Sequence, residues 1–305
     1  MDAMTLPDII GMLAARALRE EVCATPKPGL VDRHDSGAHT DMDLDTFLRS
    51  AQALEPYLAQ FANIGFSSGC MPSGLFGRLC EEGKRAEEAM LCATGGANTH
   101  KGAIFSLGLA SAAAGYCMRD GDAVDVNAIL LCCRDIAAEK ITRDFADMMA
   151  REPRSHGEKI FARYGVKGIR GEVETGFATV RHHSLPILDE LLDDGVFWGD
   201  ALIQTLLHLI AKMEDTNVLY RAGTAALQYA QEYAQHVLMH GGIFSAQGRV
   251  LLSDMNRDFI AHNISPGGCA DMLALTVFIH FLQSIRQQSP MRCAALEECS
   301  CSTWA

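Results

Sequence analysis

"AIFSLGLASAAAGYCM", residues 103–118, is the strongest candidate for a membrane span in this chain, and its reading decides the fold. It falls short of the roughly 20 apolar residues that a span requires. Ser106, Ser111 and interspersed glycines break it. The stretch therefore reads as a tightly packed internal helix of a protein without a membrane segment.

Helical periodicity continues outward on both sides. Residues 8–24 form an amphipathic pattern ended by Pro26 and Pro28. Residues 43–62 form a second, with Thr40 or Asp41 offered as its N-cap. Further helices are expected over 78–93, 100–118, 124–139, 185–194, 199–214, 217–239, 249–261 and 269–287. β-Branched alternation is sparse, and no Asn-Gly turn joins two apolar runs. The expected class is all-α. Neither internal repeats nor a low-complexity linker divide the chain. One domain is expected over 1–288, with Gly-rich charged loops lining a cleft and a poorly ordered tail over 289–305.

The 305 residues are 49% hydrophobic, enough for a large core, and carry a formal charge of −12. With no basic run, nucleic acid is not an expected partner. A polyphosphate ligand would need local Lys and Arg, or a cation, against that acidic background. The 11 cysteines form no paired CxxC pattern. Cys23, Cys70, Cys80, Cys92, Cys117, Cys132, Cys133 and Cys269 read as inert thiols, and the cytoplasm is the expected compartment. Cys293, Cys299 and Cys301 sit in the tail.

Against this apolar background, the loops stand out. "TPKPGLVDRHDSGAHTDMD", residues 25–43, contains Lys27, Asp32, Arg33, His39, Asp41 and Asp43, with two prolines and two glycines. In "GGANTHKG", residues 95–102, Asn98 or Thr99 can cap the next helix. His100 and Lys101 then fall in its first turn, where a positive charge opposes the helix dipole unless an anion binds there. In "KMEDTNVLYRAG", residues 212–223, a continuous helix would put Glu214, Asn217 and Arg221 on one face beside Asp215. Two acids and an Asn suit a hard cation such as Mg²⁺, and Arg221 can grip phosphate. "KGIRGEVE", residues 167–174, adds Arg170 and Glu172, and "NISPGGCAD", residues 263–271, adds Ser265 in a turn leading into the last helix. Together the loops supply what a polyphosphate substrate with Mg²⁺ requires. No GxSxG is present, and no cysteine has an electropositive setting.

"TPKPGLVDRHDSGAHTDMD", "NTHKGAIFSLG", "RGEVETGF", "EDTNVLYRAG" and "NISPGGCADMLALT" resemble, in order, the motifs of the triphosphoribosyl-dephospho-coenzyme A synthases over about residues 20–280. His34, Ile169 and Cys269 depart from the usual pattern. The resemblance implies a transferase that joins ATP and 3′-dephospho-coenzyme A and releases adenine. The product would be the prosthetic-group precursor for the acyl carrier subunit of citrate lyase or malonate decarboxylase, attached by a separate downstream transferase. A homo-oligomer is compatible with this reading.

Glycosyl transfer of that kind calls for a base, an acid and charge control on the triphosphate. On this reading Glu214 and Asp215 hold Mg²⁺, helped by Asp41. Lys27, Arg33, Asn98, Thr99, His100, Lys101, Arg170, Arg221 and Ser265 line the phosphate and substrate site. Glu172 or Asp32 is the base, Asn217 positions the sugar, and His39 is the acid. Two rivals share the equipment: a Mg²⁺-dependent hydrolase of nucleotide or ADP-ribose linkages, and a nucleotide-binding protein without catalysis.

Overall fold

The computed structural model describes residues 4–285, apart from 122–123, 151 and 154. The tail expected over 289–305, with its three cysteines, lies outside the described residues. All regular structure among the described residues is helical: α1 (Leu6–Cys23), α2 (Leu44–Phe66), α3 (Phe76–Thr94), α4 (Lys101–Met118), α5 (Val126–Ala150), α6 (His156–Tyr164), α7 (Ile169–Glu174), α8 (Leu185–Asp193), α9 (Trp198–Lys212), α10 (Thr216–Met239), α11 (Ala246–Ala261) and α12 (Gly267–Ser284). The class is all-α, as expected. No described helix is long and apolar enough to cross a membrane.

The stretch at 103–118 is α4, buried on nearly every side. Its small residues explain how. A Cβ on Gly115 would lie 2.1 Å from the Ala62 carbonyl oxygen in α2. A Cβ on Gly65 of α2 would lie 1.9 Å from the Ala112 carbonyl oxygen in α4. The two backbones thus touch through reciprocal glycines. α1 joins them in the same way, with Gly11 against the Ala59 backbone. Around this stack one apolar cluster runs from Ile10 to Leu282.

Caps set the boundaries. Thr5 and Asp8 form a reciprocal capping box on α1. For α2 the cap is Asp43, whose carboxylate accepts the Thr46 N–H at 2.9 Å, rather than Thr40 or Asp41. α6, α7 and a π-helical turn at Val180–Ser184 were not expected from periodicity, and α5 runs past the expected end at 139. α9 stops at Lys212 and α10 starts at Thr216, so Glu214, Asn217 and Arg221 do not share a continuous helix. Within α10 the backbone leaves helical geometry at Gly223, with φ 82° and ψ −173°, a region open in practice only to glycine.

Replacing Gly115 by Val should lower unfolding free energy by about 1–3 kcal/mol or more, because both helix backbones must separate. Denaturant melts will check this. Val at the exposed Gly77, where a Cβ meets nothing within 4 Å, should cost far less.

Candidate active site

The loop between α1 and α2 is polar because it is built on its own carboxylates. Asp32, buried, accepts the Lys27 N–H at 2.9 Å on one oxygen, and the His34 and Asp35 N–H groups at 2.7 and 3.2 Å on the other. Asp35 accepts the Gly37 N–H, and Asn256 of α11 ties Gly29 to Asp35. The Lys27 side chain turns inward. It is only 2% exposed, and its ammonium donates to Glu21 in the last turn of α1 at 2.5 Å. Burial pushes the Glu21 carboxyl up, and the Lys27 charge pulls it back.

Chain from the far end of the sequence closes over this loop. His39 Nε2 lies 2.8 Å from Ser265 Oγ. The Arg221 guanidinium donates to the Ala38 carbonyl and to Asn263, bridging the first and last motifs. Asp215 caps α10, accepting the Asn217 and Val218 N–H groups at 2.8 and 3.1 Å, while its other oxygen accepts the Cys269 N–H at 2.8 Å. Gly268 and Gly267 permit this approach: Cβ atoms there would lie 3.0 Å from Asp215 Oδ2 and 2.8 Å from Asn217 Nδ2. Gly168, just before α7, packs on Thr216 in the same way.

The third wall is the start of α4. His100 is 3% exposed, and its Nδ1 lies 2.7 Å from Ser50 Oγ, which also accepts from Thr99 at 2.8 Å. Its Nε2 has no hydrogen-bond partner among the described residues. Burial, and then the Lys27 charge, push the His100 pKa down to about 3, so the imidazole is neutral. Asp271 of α12 rests on Gly102, where a Cβ would lie 2.0 Å from its Oδ2, and accepts the Ala103 N–H. Burial holds its carboxyl well above the usual range, with the Glu21 and Asp215 charges adding to the effect. The centre is therefore rich in carboxyl groups: Asp271 feels the Glu21 and Asp215 charges, and the Lys27 ammonium pairs with Glu21.

The expected site residues thus fall into two sets. Lys27, Asp32, His39, His100, Asp215, Asn217, Arg221 and Ser265 are brought together. Lys101, Arg33, Asp41 and Glu214 lie nearby in sequence with exposed or partly exposed side chains, and Lys101 pairs with Glu87. Asn98 accepts the Lys101 N–H at 3.3 Å. Arg170 is 3.6 Å from Asp144, and Glu172 accepts from the Thr179 hydroxyl at 2.7 Å, which ties α7 to the following turn. Four of these residues have settings that the sequence does not show. Asp32 and Asp215 each hold three backbone N–H groups. The Lys27 ammonium is occupied inside the core. His39, expected to be an acid, is held below its ordinary pKa by burial and then by the Arg221 charge, with Asp41 opposing. The sequence reading passed over Glu21 and gave Asp271 no role. A carboxylate in the last turn of α1, against the helix dipole, was the available signal for Glu21.

A shallow polar cavity of about 360 Å³ opens beside His39, lined by Ser36, Thr40, Asp41, Asp43 and Thr46. Among the described residues no group of three or more His, Cys, Asp or Glu side chains forms a metal cage.

His100 generates a pH prediction. Unfolded it takes a proton near 6.5, folded only near 3, so unfolding at intermediate pH takes up a proton. Its contribution to stability is complete above 6.5 and is lost as pH falls toward 3, by about 1.4 kcal/mol per pH unit. Melts between pH 4 and 8 should show a shallower acid-side slope for His100→Gln than for the wild type.

The family model described as ATP:dephospho-CoA triphosphoribosyl transferase matches residues 7–290. Among curated proteins, the chain is 40% identical over 279 residues to a probable 2-(5''-triphosphoribosyl)-3'-dephosphocoenzyme-A synthase of Vibrio cholerae, covering 91% of this chain and 89% of that one. It is 39% identical over 269 residues to the synthase of Klebsiella pneumoniae, covering 87% of each chain. It is 40% identical over 278 residues to that of Escherichia fergusonii, covering 89% of this chain and 90% of the relative. No solved structure matches the chain.

Proposed function

The chain belongs to the ATP:dephospho-CoA triphosphoribosyl transferase family, and from that premise we propose that its converging loops form the site of transfer. The reaction joins the triphosphoribosyl group of ATP to 3′-dephospho-CoA. The atoms balance if the acceptor 2′-oxygen bonds to C1 of the ATP ribose while the bond from C1 to adenine N9 breaks. The acceptor loses a proton, and adenine leaves with the bonding electron pair and gains one. The observation that carries this reading is the meeting of the sequence-distant motifs in one place, through His39–Ser265, Arg221–Asn263 and Asp215–Cys269.

The ribose develops positive charge as adenine departs, and an excess of carboxyl groups favours that charge in a dry site. Asp215 and Asp32 shape the loops around it, and Lys27 offsets part of the negative field. Arg33, Arg170 and Arg221 surround the triphosphate. Asp41 and Glu214 would be the carboxylates to hold a Mg²⁺ carried in on ATP, and such an ion would neutralise charge on the triphosphate. His39, neutral and beside Ser265, takes the 2′-hydroxyl proton. Asp271, whose enclosed carboxyl is held well above the usual carboxylate range by burial, supplies the proton to adenine. Asn98 and Thr99 present the α4 N-terminus, His100 supports it from within, Asn217 faces the sugar, and Glu172 holds α7 in place. The product serves, in the cytoplasm, a downstream transferase that loads the acyl carrier protein of citrate lyase or malonate decarboxylase.

The test is chromatography with mass detection after incubation with Mg²⁺, ATP and 3′-dephospho-CoA. Free adenine together with a triphosphoribosyl adduct, only when both substrates are present, is the expected result. Adenine without adduct would mean hydrolysis. No consumption of ATP by folded protein would leave a binding protein. In the same assay His39→Gln should lose about 10²–10⁴-fold in turnover, the usual contribution of a positioned base, with its melting temperature little changed. Near-normal turnover would remove His39 from the mechanism.

A further inference from the structure

A second cavity lies on the other side of the α4 first turn. It has a volume of about 220 Å³, and Phe61, Phe76, Leu79, Ile104, Phe105 and Leu109 from α2, α3 and α4 form its walls. Its charged residues are Lys84, Glu87 and Lys101. Lys101 pairs with Glu87, so Lys84 leaves the set net positive. The first turn of α4 is a shared partition. His100, Gly102 and Ala103 face the acidic centre, and Lys101, Ile104 and Phe105 face this cavity.

Gly83 points to an occupant. It sits in the interior of α3 and lines the cavity. Its backbone is helical, and an added Cβ would meet only the Phe61 ring at 3.9 Å, an ordinary contact. Nothing in the packing therefore requires glycine, and helix propensity disfavours it there. A side chain at 83 would extend into the cavity, so glycine preserves the space. The volume is small for a nucleotide but suits a slender, flexible chain of largely apolar surface. The acceptor of the proposed reaction has such a chain, joined through a diphosphate that a net positive rim would attract.

We propose that this cavity receives the pantetheine arm of 3′-dephospho-CoA, with Lys84 and Lys101 at the diphosphate where the arm leaves the nucleotide. This rests on the transferase reading and adds to it the acceptor's orientation: the adenosine lies toward His39 and the arm passes between α3 and α4. It also gives the enzyme a means of telling acceptor from donor, since ATP has no arm.

Calorimetric titration tests this without turnover. Dephospho-CoA and ATP are each titrated into wild type, Gly83→Leu and Gly83→Ala. Leu fills the cavity and should weaken dephospho-CoA by about tenfold or more while leaving ATP affinity within about twofold. Ala should weaken dephospho-CoA less and raise the melting temperature, a combination that a purely structural role for Gly83 would not give. 4′-Phosphopantetheine should compete with dephospho-CoA in the wild type and not with ATP. Unchanged dephospho-CoA affinity in folded Gly83→Leu would overturn the proposal, as would an equal loss for both ligands. If Gly83→Leu does not fold, Gly83→Ala decides by the same comparison. Failure of the transferase reading appears separately, as absence of adduct from the wild type.

Discussion

The ammonium of Lys27 and the carboxylate of Glu21 meet inside the protein, both nearly inaccessible to water. Such a pair gains little over an apolar substitute, but loss of either partner leaves an uncompensated buried charge, at a cost of about 3–5 kcal/mol. The pair therefore acts as a constraint. It fixes the loop after α1 to the helix it leaves, and it sets a positive charge beside His100. With that loop anchored, the Asp32 amide cradle, the His39–Ser265 contact and the Arg221 bridge have a fixed surface to close on. The state of Asp271 has the same origin, because the one ammonium is already paired with Glu21 and does not offset the burial that holds the Asp271 carboxyl well above the usual range.

The fold was legible where local chemistry and tertiary packing agree. The α4 stretch, too short and too interrupted for a membrane, is a buried helix because its glycines let α2 approach. Long amphipathic segments such as α1, α2 and α10 follow their periodicity. The failures have particular causes. α7 has only six residues and lies among glycines, so no helical period can develop. The cap of α2 is Asp43, while Thr40 and Asp41 offer similar chemistry two or three positions earlier and could not be ranked from sequence.

The site was legible in its membership more than in its roles. Loop motifs rich in Asp, His, Lys and Gly did mark the segments that converge. Residue types alone could not distinguish a carboxylate that holds amides, as Asp32 and Asp215 do, from one presented to solvent, as Asp41 and Glu214 are. That distinction depends on which N–H groups the folded chain brings near. Asp271 illustrates the same limit. Its elevated pKa arises from burial against α4 and then from Glu21 and Asp215, both remote in sequence. The break between α9 and α10 likewise separated Glu214 from the face assigned to it, because Asp215 starts a new helix there.

His39 and Ser265 are 226 residues apart, and Arg221 reaches back 183 residues to Ala38. Contacts of such separation carry a large loop-closure cost and form late in folding. During synthesis the first loop emerges early and must wait, without its partners, until α12 has left the ribosome. A chain ending before Ser265 would hold most of the helices but would lack the His39–Ser265 and Asp215–Cys269 contacts. The first loop and the last helix are thus interdependent, and the site closes only when both ends of the chain are present.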